Sequence, residues 1–564
     1  MQSATGCSGG LLSGAPALTL ALLLMPIIAG LAGTLLPAFG YLPAIGASGF
    51  SLQPWRTLLA EPGLSHALIL TLWTGVAATL LALLLTLALL AGCYQSRWLA
   101  RIRRSLAPLL AMPHAALALG LAFLIAPSGG LARLLSPWAT GWERPPELGL
   151  FGPQDPWGLS LILALTLKET PYLLFMSLAG LARWPADHDL AVARTLGYGP
   201  VSAFLKVVLP QLYPLIRLPV FAALAFALSV VDVALIIGPS APPTLAVQAL
   251  RGFNDPDLHA RLPAAAAALL LTGLTGLALL LWEGAIQLLA RCSRAWLSDG
   301  GRGGGGALAQ WLALGSGTLA LGLAMLSALG LLVWSFALRW TFPAAWPTQW
   351  TLAHWRGQFD SLAVATGNTL GIGVAATGVA LLLVMACLEQ EQRQQRAVSG
   401  RSLWLLYLPL LVPQVSFLFG VQVLLAGWGL EGHWLALLWT HLLFVVPYVF
   451  LSLADPWRAF DQRYEQSART LGAGPARVFW RIKLPLLGSA VAVAAAVGFA
   501  VSVTQYLPTV FAGAGRYATL TTEAVALASG ANRRLIGVYA VAQTLLPLLG
   551  FALALMLARR DHRR

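Results

Sequence analysis

Two stretches of this sequence repeat at residues suited to contact with a partner. Asp189-Leu-Ala-Val-Ala-Arg-Thr-Leu-Gly197-Tyr-Gly-Pro200 continues through Phe204 to Leu209-Pro210. Tyr464-Glu-Gln-Ser-Ala-Arg-Thr-Leu-Gly472-Ala-Gly-Pro475 continues through Phe479 to Leu484-Pro485. Ala-Arg-Thr-Leu-Gly-x-Gly-Pro is common to both, and the first Gly and closing Pro are 13 residues apart in each (197 to 210, 472 to 485). The pattern predicts a short helix, a turn at a glycine able to take positive φ, and a second helix opened by Pro. The chemistry of such a loop is recognition. Ala193, Thr195, Gly199, Ala468, Thr470 and Gly474 keep it slim, Arg194 and Arg469 offer polar anchors, and Leu196 and Leu471 offer apolar ones. A helix of this kind fits a partner groove. Amphipathic helices lying in a membrane interface would share the composition, but equal spacing in two copies favours docking.

A second set of polar residues interrupts apolar sequence. Asp232 ends Phe226-Ala-Leu-Ser229-Val-Val-Asp232, and the matching stretch is Phe499-Ala-Val-Ser502-Val-Thr-Gln505. Polar groups inside apolar spans are costly and commonly mark a pathway; an inter-helix hydrogen bond is their other use. Ser229, Asp232, Ser502, Thr504 and Gln505 are the pathway candidates. Lys168 and Glu169 precede Pro171 and either line a cavity or satisfy backbone groups freed at the proline, the latter favoured. His114 and His441 stand alone and read as polar contacts in helix packing. Cys7, Cys93, Cys292 and Cys387 are too scattered for a disulfide framework or a zinc site. No catalytic constellation, metal site or cofactor motif is expected. The only lysines, Lys168, Lys206 and Lys483, are followed by Glu, Val and Leu, so no Gly-Lys-Ser/Thr phosphate loop is present.

The elements that must position these residues are membrane helices. Of 564 residues 58% are hydrophobic and 10% charged, with mean hydropathy +0.76, which excludes an ordinary soluble enzyme and a disordered chain. Asp, Glu, Lys and Arg are absent from 1–55, 62–96, 105–132, 303–338, 361–388, 402–430 and 484–515, and each window can hold a span of roughly 20 residues. Twelve helices are predicted: 15–38, 65–92, 106–127, 158–183, 214–238, 263–289, 311–338, 362–387, 403–427, 434–454, 487–512 and 535–558. The first lacks the basic flank of a cleaved leader and reads as a retained span. Tryptophans near span ends, such as Trp98, Trp340 and Trp350, read as interfacial anchors. The net charge of +14 is spread in short clusters between spans, which argues against nucleic-acid binding. Most of the 35 basic residues follow even-numbered spans or end the chain. The positive-inside rule then puts both termini and both repeated loops in the cytoplasm.

Internal similarity divides the chain in two. Thr71-Leu-Trp-Thr-Gly-Val-Ala-Ala-Thr79 answers Thr369-Leu-Gly-Ile-Gly-Val-Ala-Ala-Thr377, Met112-Pro113 answers Val412-Pro413, and Pro171-Tyr172 answers Pro447-Tyr448. The changing offset locates an insertion of about two dozen residues between spans three and four, in the Gly-, Pro- and Trp-rich outer loop near 127–157. The expected organisation is a first six-span half at 1–295, a Gly-rich linker at 296–310 and a second six-span half at 311–564. Six spans per half make the repeats parallel.

With the repeated loops placed after the fourth span of each half, the chain resembles the membrane subunits of type I ABC importers, the binding-protein-dependent permeases. Their signature is an "EAA" loop, Glu-Ala-Ala-x-x-x-Gly followed by a spaced Leu-Pro. Registered on Gly197 and Gly472, the triplet falls on Ala191-Val192-Ala193 and Gln466-Ser467-Ala468, so the acidic residue is missing at its usual place in both copies. Asp189 and Glu465 are the nearest carboxylates before it. The resemblance covers both halves and includes the fused ferric-iron and thiamine importer subunits. It implies an all-α polytopic permease fold of about twelve transmembrane helices in the bacterial inner membrane. It also implies two ATPase subunits docked on the two loops and a periplasmic solute-binding protein. The fifth span of each half would line the translocation path, and ATP hydrolysis would belong to another chain. An ion-coupled secondary transporter of two parallel six-helix halves is the alternative. That class needs intramembrane carboxylates, and Asp232 and Glu169 are the candidates for them.

Overall fold

The computed structural model describes residues 9–94, 96–147, 152–303, 306–394, 400–530 and 532–561; Cys7, Gly304, Gly305, Arg396, Arg563 and Arg564 lie outside them. Among the described residues ten helices are long and apolar enough to cross a bilayer: Ser13–Ala38, Leu64–Cys93, His114–Leu135, Leu159–Leu181, Pro200–Ser229, Leu258–Cys292, Gln310–Phe336, Phe359–Gln394, Trp434–Arg458 and Arg533–Leu557. Two further crossings are bent pairs, Trp404–Leu411 with Gln414–Gly427 at 92° and Pro475–Leu486 with Gly488–Val503 at 74°, giving up to twelve spans. The architecture is all-α. Among the described residues the only paired strands are Ala337–Arg339 and Gln349–Trp350, a short antiparallel ribbon after span seven.

Four expected spans are corrected, each by a backbone break that hydropathy does not register. Span three, expected at 106–127, starts at His114, and residues before it form a separate amphipathic helix, Arg97–Ala111. Met112 is extended (φ −68°, ψ 126°) because the proline that follows disfavours helical geometry at that position. The equivalent Val412-Pro413 divides span nine, expected unbroken at 403–427. Spans five and eleven, expected at 214–238 and 487–512, are also interrupted. Helix Leu209–Ser229 gives way to Asp232–Ile237, and Gly488–Val503 to Leu507–Gly513. Both repeats therefore break at the same two places.

The halves are bound together by exchange of their first helices. Span one packs on Gln414–Gly427 of the second half. There a Cβ on Gly420 would lie 1.8 Å from the Gly30 carbonyl oxygen, and one on Gly33 2.9 Å from Gly420 Cα. Span seven packs on His114–Ile125 of the first half, where a Cβ on Gly120 would meet the Ser327 carbonyl at 2.4 Å. Small residues allow such close crossings, in which packing rather than hydrophobicity holds helices together in lipid.

Candidate functional site: paired docking loops and a polar path

The two repeated loops have one backbone design. Helix Ala186–Thr195 ends in Gly197 at φ +88°, and helix Gln462–Thr470 ends in Gly472 at φ +79°. In the first, the Tyr198 amide donates to the Ala193 carbonyl (3.1 Å) and the Gly197 amide to that of Arg194 (2.9 Å). In the second, the Ala473 amide donates to Ala468 (3.0 Å) and the Gly472 amide to Arg469 (3.0 Å). These are paired helix-ending bonds closed by a left-handed residue, a position that favours glycine. Gly199 and Gly474 are extended, and Pro200 and Pro475 open the next helices at N1. A π-helical turn follows in each, Phe204–Val208 and Phe479–Lys483.

The faces of the loops divide sharply. Ala186, Leu190 and Ala193 are buried, as is Ala468, whereas Val192, Leu196 and Leu471 are exposed, Leu471 to 87%. An apolar side chain that exposed carries a desolvation gain for whatever covers it. Arg469 pairs with Glu465 one turn earlier. Arg194 lines a cavity of ≈ 200 Å³ with Leu190, Pro200, Phe204 and Tyr94.

Surroundings differ more than backbones. Residues after span six cross the first loop. The Gly199 amide donates to the Arg302 carbonyl (3.1 Å), and the Lys206 ammonium donates to Asp299 Oδ1 (2.5 Å) while lying 4.7 Å from the Trp296 ring centre. The Lys206 hydrogen bond, helped by the Gly301 amide, holds the Asp299 carboxyl below the usual carboxylate range. The second loop is anchored instead from within. Lys483 donates to Glu389 Oε2 (2.5 Å) and to Gln392, and sits 4.8 Å from the Trp457 ring centre. Glu389 belongs to a continuation of span eight beyond its expected end at 387.

The five pathway candidates gather at the breaks of spans five and eleven, but their polar groups are used differently. Ser229 Oγ donates to the Ala225 carbonyl (2.7 Å) and Thr504 Oγ1 to that of Val501 (2.8 Å), so both serve their own helices. Gln505 Nε2 also reaches the Val501 carbonyl (3.1 Å). Ser502 Oγ shares a hydrogen bond with buried His441 Nδ1 (2.9 Å), whose Nε2 meets Thr509 Oγ1 (3.1 Å). Asp232 heads the short helix after the break, in electrostatic reach of His114 and of Tyr506 at the opposite break.

Three residues of span four were not among the five pathway candidates. Lys168 donates to the carbonyls of Leu109 (3.2 Å), Leu110 (3.2 Å) and Met112 (2.5 Å), the groups left open where the chain turns at Pro113. Its neighbour Glu169 turns elsewhere, with Oε1 3.7 Å from His114 Nε2. Tyr172 lies in electrostatic reach of Glu169 and of its repeat partner Tyr448. The sequence signal was the charged pair beside Pro171-Tyr172; spacing could not show that its members part company.

Paired sets of broken and continuous membrane helices, with matched loops at one end, define a polytopic membrane protein built as a pseudo-dimer. Residues 84–289 match the family described as binding-protein-dependent transport system inner membrane component. The chain is 35% identical to the inner membrane ABC transporter permease protein YnjC of Escherichia coli (strain K12), covering 92% of this chain and 94% of that protein. It is 34% identical to the molybdenum transport system permease protein ModB of Mycobacterium tuberculosis (strain ATCC 25618 / H37Rv), over 32% of this chain and 68% of that one. It is 29% identical to the putrescine transport system permease protein PotI of Escherichia coli (strain K12), over 26% and 54% respectively. The chain belongs to the ABC transporter permeases of binding-protein-dependent transport systems, as a fused two-half, multi-pass inner-membrane member.

Proposed function

We propose that this chain forms the translocation path of an ATP-driven importer and couples it, through the loops around Gly197 and Gly472, to two separate ATPase subunits. The observation that carries the reading is the duplicated helix–Gly–Pro–π-turn element with exposed Leu196 and Leu471. Each loop inserts into a cleft of one ATPase, with Arg194 and Arg469 as polar anchors. Closure of the ATPases on ATP draws the loops together and rocks the halves between inward- and outward-facing states. Both loops and both termini are cytoplasmic, and a periplasmic solute-binding protein delivers solute to the opposite end. The sequence divides as 1–295, 296–310 and 311–564, with the middle segment tethering the halves. The relatives' names point to different solutes, molybdenum in one case and putrescine in another, so none is carried over.

The test is purification of the tagged chain in mild detergent with mass spectrometry of what remains bound. A P-loop ATPase at two copies per chain is expected, and Gly197→Val with Gly472→Val should abolish its retention while the permease still inserts. Retention by the double variant would overturn the docking assignment. A clean chain whose uptake follows the proton gradient and ignores ATP depletion would establish the secondary-transporter alternative.

A further inference from the structure

The two helices that lead into the docking loops are joined to each other by an ion pair. Arg183 stands between span four, Leu159–Leu181, and helix Ala186–Thr195. Asp455 lies in the last turn of span ten, Trp434–Arg458, which leads into helix Gln462–Thr470. Arg183 Nη2 donates to Asp455 Oδ2 at 2.8 Å, and the two side chains are 55% and 57% exposed. The second-half side of this bridge is firmly held. Arg458, on the same helix as Asp455, donates through Nε and Nη2 to the two carboxylate oxygens of Glu391 (2.9 and 3.0 Å) on the continuation of span eight. Glu389 of that continuation accepts from Lys483 in the π-turn after the second loop. Asp455 is thereby tied to the base of one loop, and Arg183 sits at the root of the other.

The repeats differ at this place in a way that sends the contact across the molecule. At the offset that aligns Gly197 with Gly472, Arg183 aligns with Arg458. Arg458 finds its carboxylate, Glu391, within its own half. The first half offers Arg183 no such group: at the offset that aligns Thr71 with Thr369, Cys93 stands where the second half has Glu391, and residues 62–96 hold no Asp or Glu. Arg183 reaches Asp455 of the other half instead. Gly180 stands where Asp455 would have its counterpart, so the bridge has no pseudo-symmetric mate. Its exposure sets its use. A buried pair that parted would leave charges uncompensated at high cost, whereas an exposed pair is weak because water solvates both ions when they separate. A weak contact between two moving bodies can be made and broken in every cycle, and it shifts their equilibrium only by the difference in its strength between the two states.

We propose that Arg183 and Asp455 form a latch between the halves, closed when the docking loops are drawn together and open when the loops separate. The closed latch favours the loops-together arrangement in which the ATPases hydrolyse ATP. This rests on the coupling reading above and adds to it a pair of residues that biases the cycle without touching solute or nucleotide.

The experiment uses the chain with its ATPases in lipid nanodiscs and measures hydrolysis below saturating ATP for Arg183→Glu, Asp455→Arg and the two combined. Each single reversal sets like charges together and should lower the rate about fivefold, the upper end for an exposed pair. The combined variant restores opposite charges and should return the rate to within about twofold of the unsubstituted chain. A second measurement places spin labels on Ala182→Cys and Ala459→Cys, exposed positions beside the pair, in a chain whose four native cysteines are changed to alanine. A non-hydrolysable ATP analogue should shorten the distance between the labels, and Arg183→Glu should lengthen it again in the presence of the analogue. Unchanged or additive rates in the charge reversals, or a label distance that the analogue does not move, would overturn the proposal. Failure of the ATPases to co-purify with the unsubstituted chain would remove the coupling reading and the latch with it. ATPases that stay bound and active while the reversals remain additive would remove the latch alone.

Discussion

The loop after span four and the loop after span ten share a backbone almost bond for bond, yet they are held by different means. The first is overlaid by residues 296–303, through Arg302 on Gly199 and Asp299 on Lys206. Among the described residues no such strap crosses the second, and its π-turn is fixed by the buried Lys483–Glu389 pair. Local sequence governs the fold of each loop, whereas its anchorage depends on which distant segment passes by. Two loops of one backbone design can therefore respond differently to perturbation.

The largest effect should come from the buried anchor. Lys483→Ala leaves the Glu389 carboxylate buried beside Arg393 alone. The expected cost is about 3–5 kcal/mol, typical of removing one member of a buried pair. Thermal unfolding in detergent would show it, and an unchanged midpoint would mean that the pair does not hold the second loop.

Single glycine substitutions separate the loops at a smaller scale. Valine at 472 meets no neighbour at its Cβ, so its cost is the left-handed backbone, ~1–2 kcal/mol. Valine at 197 adds a Cβ 3.3 Å from the Arg302 side chain and should loosen the strap as well. Each single variant should retain one ATPase per chain by native mass spectrometry. Equal hydrogen exchange at residues 296–303 in both variants would contradict the difference between them.

The smallest effect concerns Asp299, which is exposed. Its carboxyl lies below the ordinary range in the folded chain, so the Lys206 contact contributes above the unfolded value and is lost as pH falls through the folded one. Protection of the Gly199 amide, corrected for intrinsic exchange, should hold from neutrality to mildly acidic pH and decline below about pH 4. Asp299→Asn should reproduce the decline at neutral pH, and the Gly474 amide should not respond to either change.

Much of the architecture was legible in the residues. Charge-free windows located the crossings because a bilayer penalises charge wherever it falls, and the duplicated Ala-Arg-Thr-Leu-Gly-x-Gly-Pro marked the matched loops because positive φ and Pro at N1 are local demands. Helix breaks were missed because a residue such as Met112 or Val230 is apolar whether its backbone is helical or extended. Pro113 was in view, but proline also occurs inside these helices, as at Pro171 and Pro219, so its presence did not by itself fix a boundary.

The polar residues within the spans show the same division. Asp232 and Gln505 were recognisable one at a time, as costly residues in apolar spans. That Lys168 turns to the carbonyls before Pro113 while Glu169 turns to His114 depends on three spans meeting at one depth. The sequence by itself determined the approximate number of the crossings, the internal duplication and the backbone of the loops, since each follows from the residue's own side chain or its near neighbours. Tertiary structure alone decided the exchange of first helices, the strap across one loop and the convergence of His114, Glu169 and Asp232. These are contacts between residues far apart in the chain, set by close packing at Gly30, Gly120 and Gly420 and by buried charges that must find partners wherever the packing leaves them.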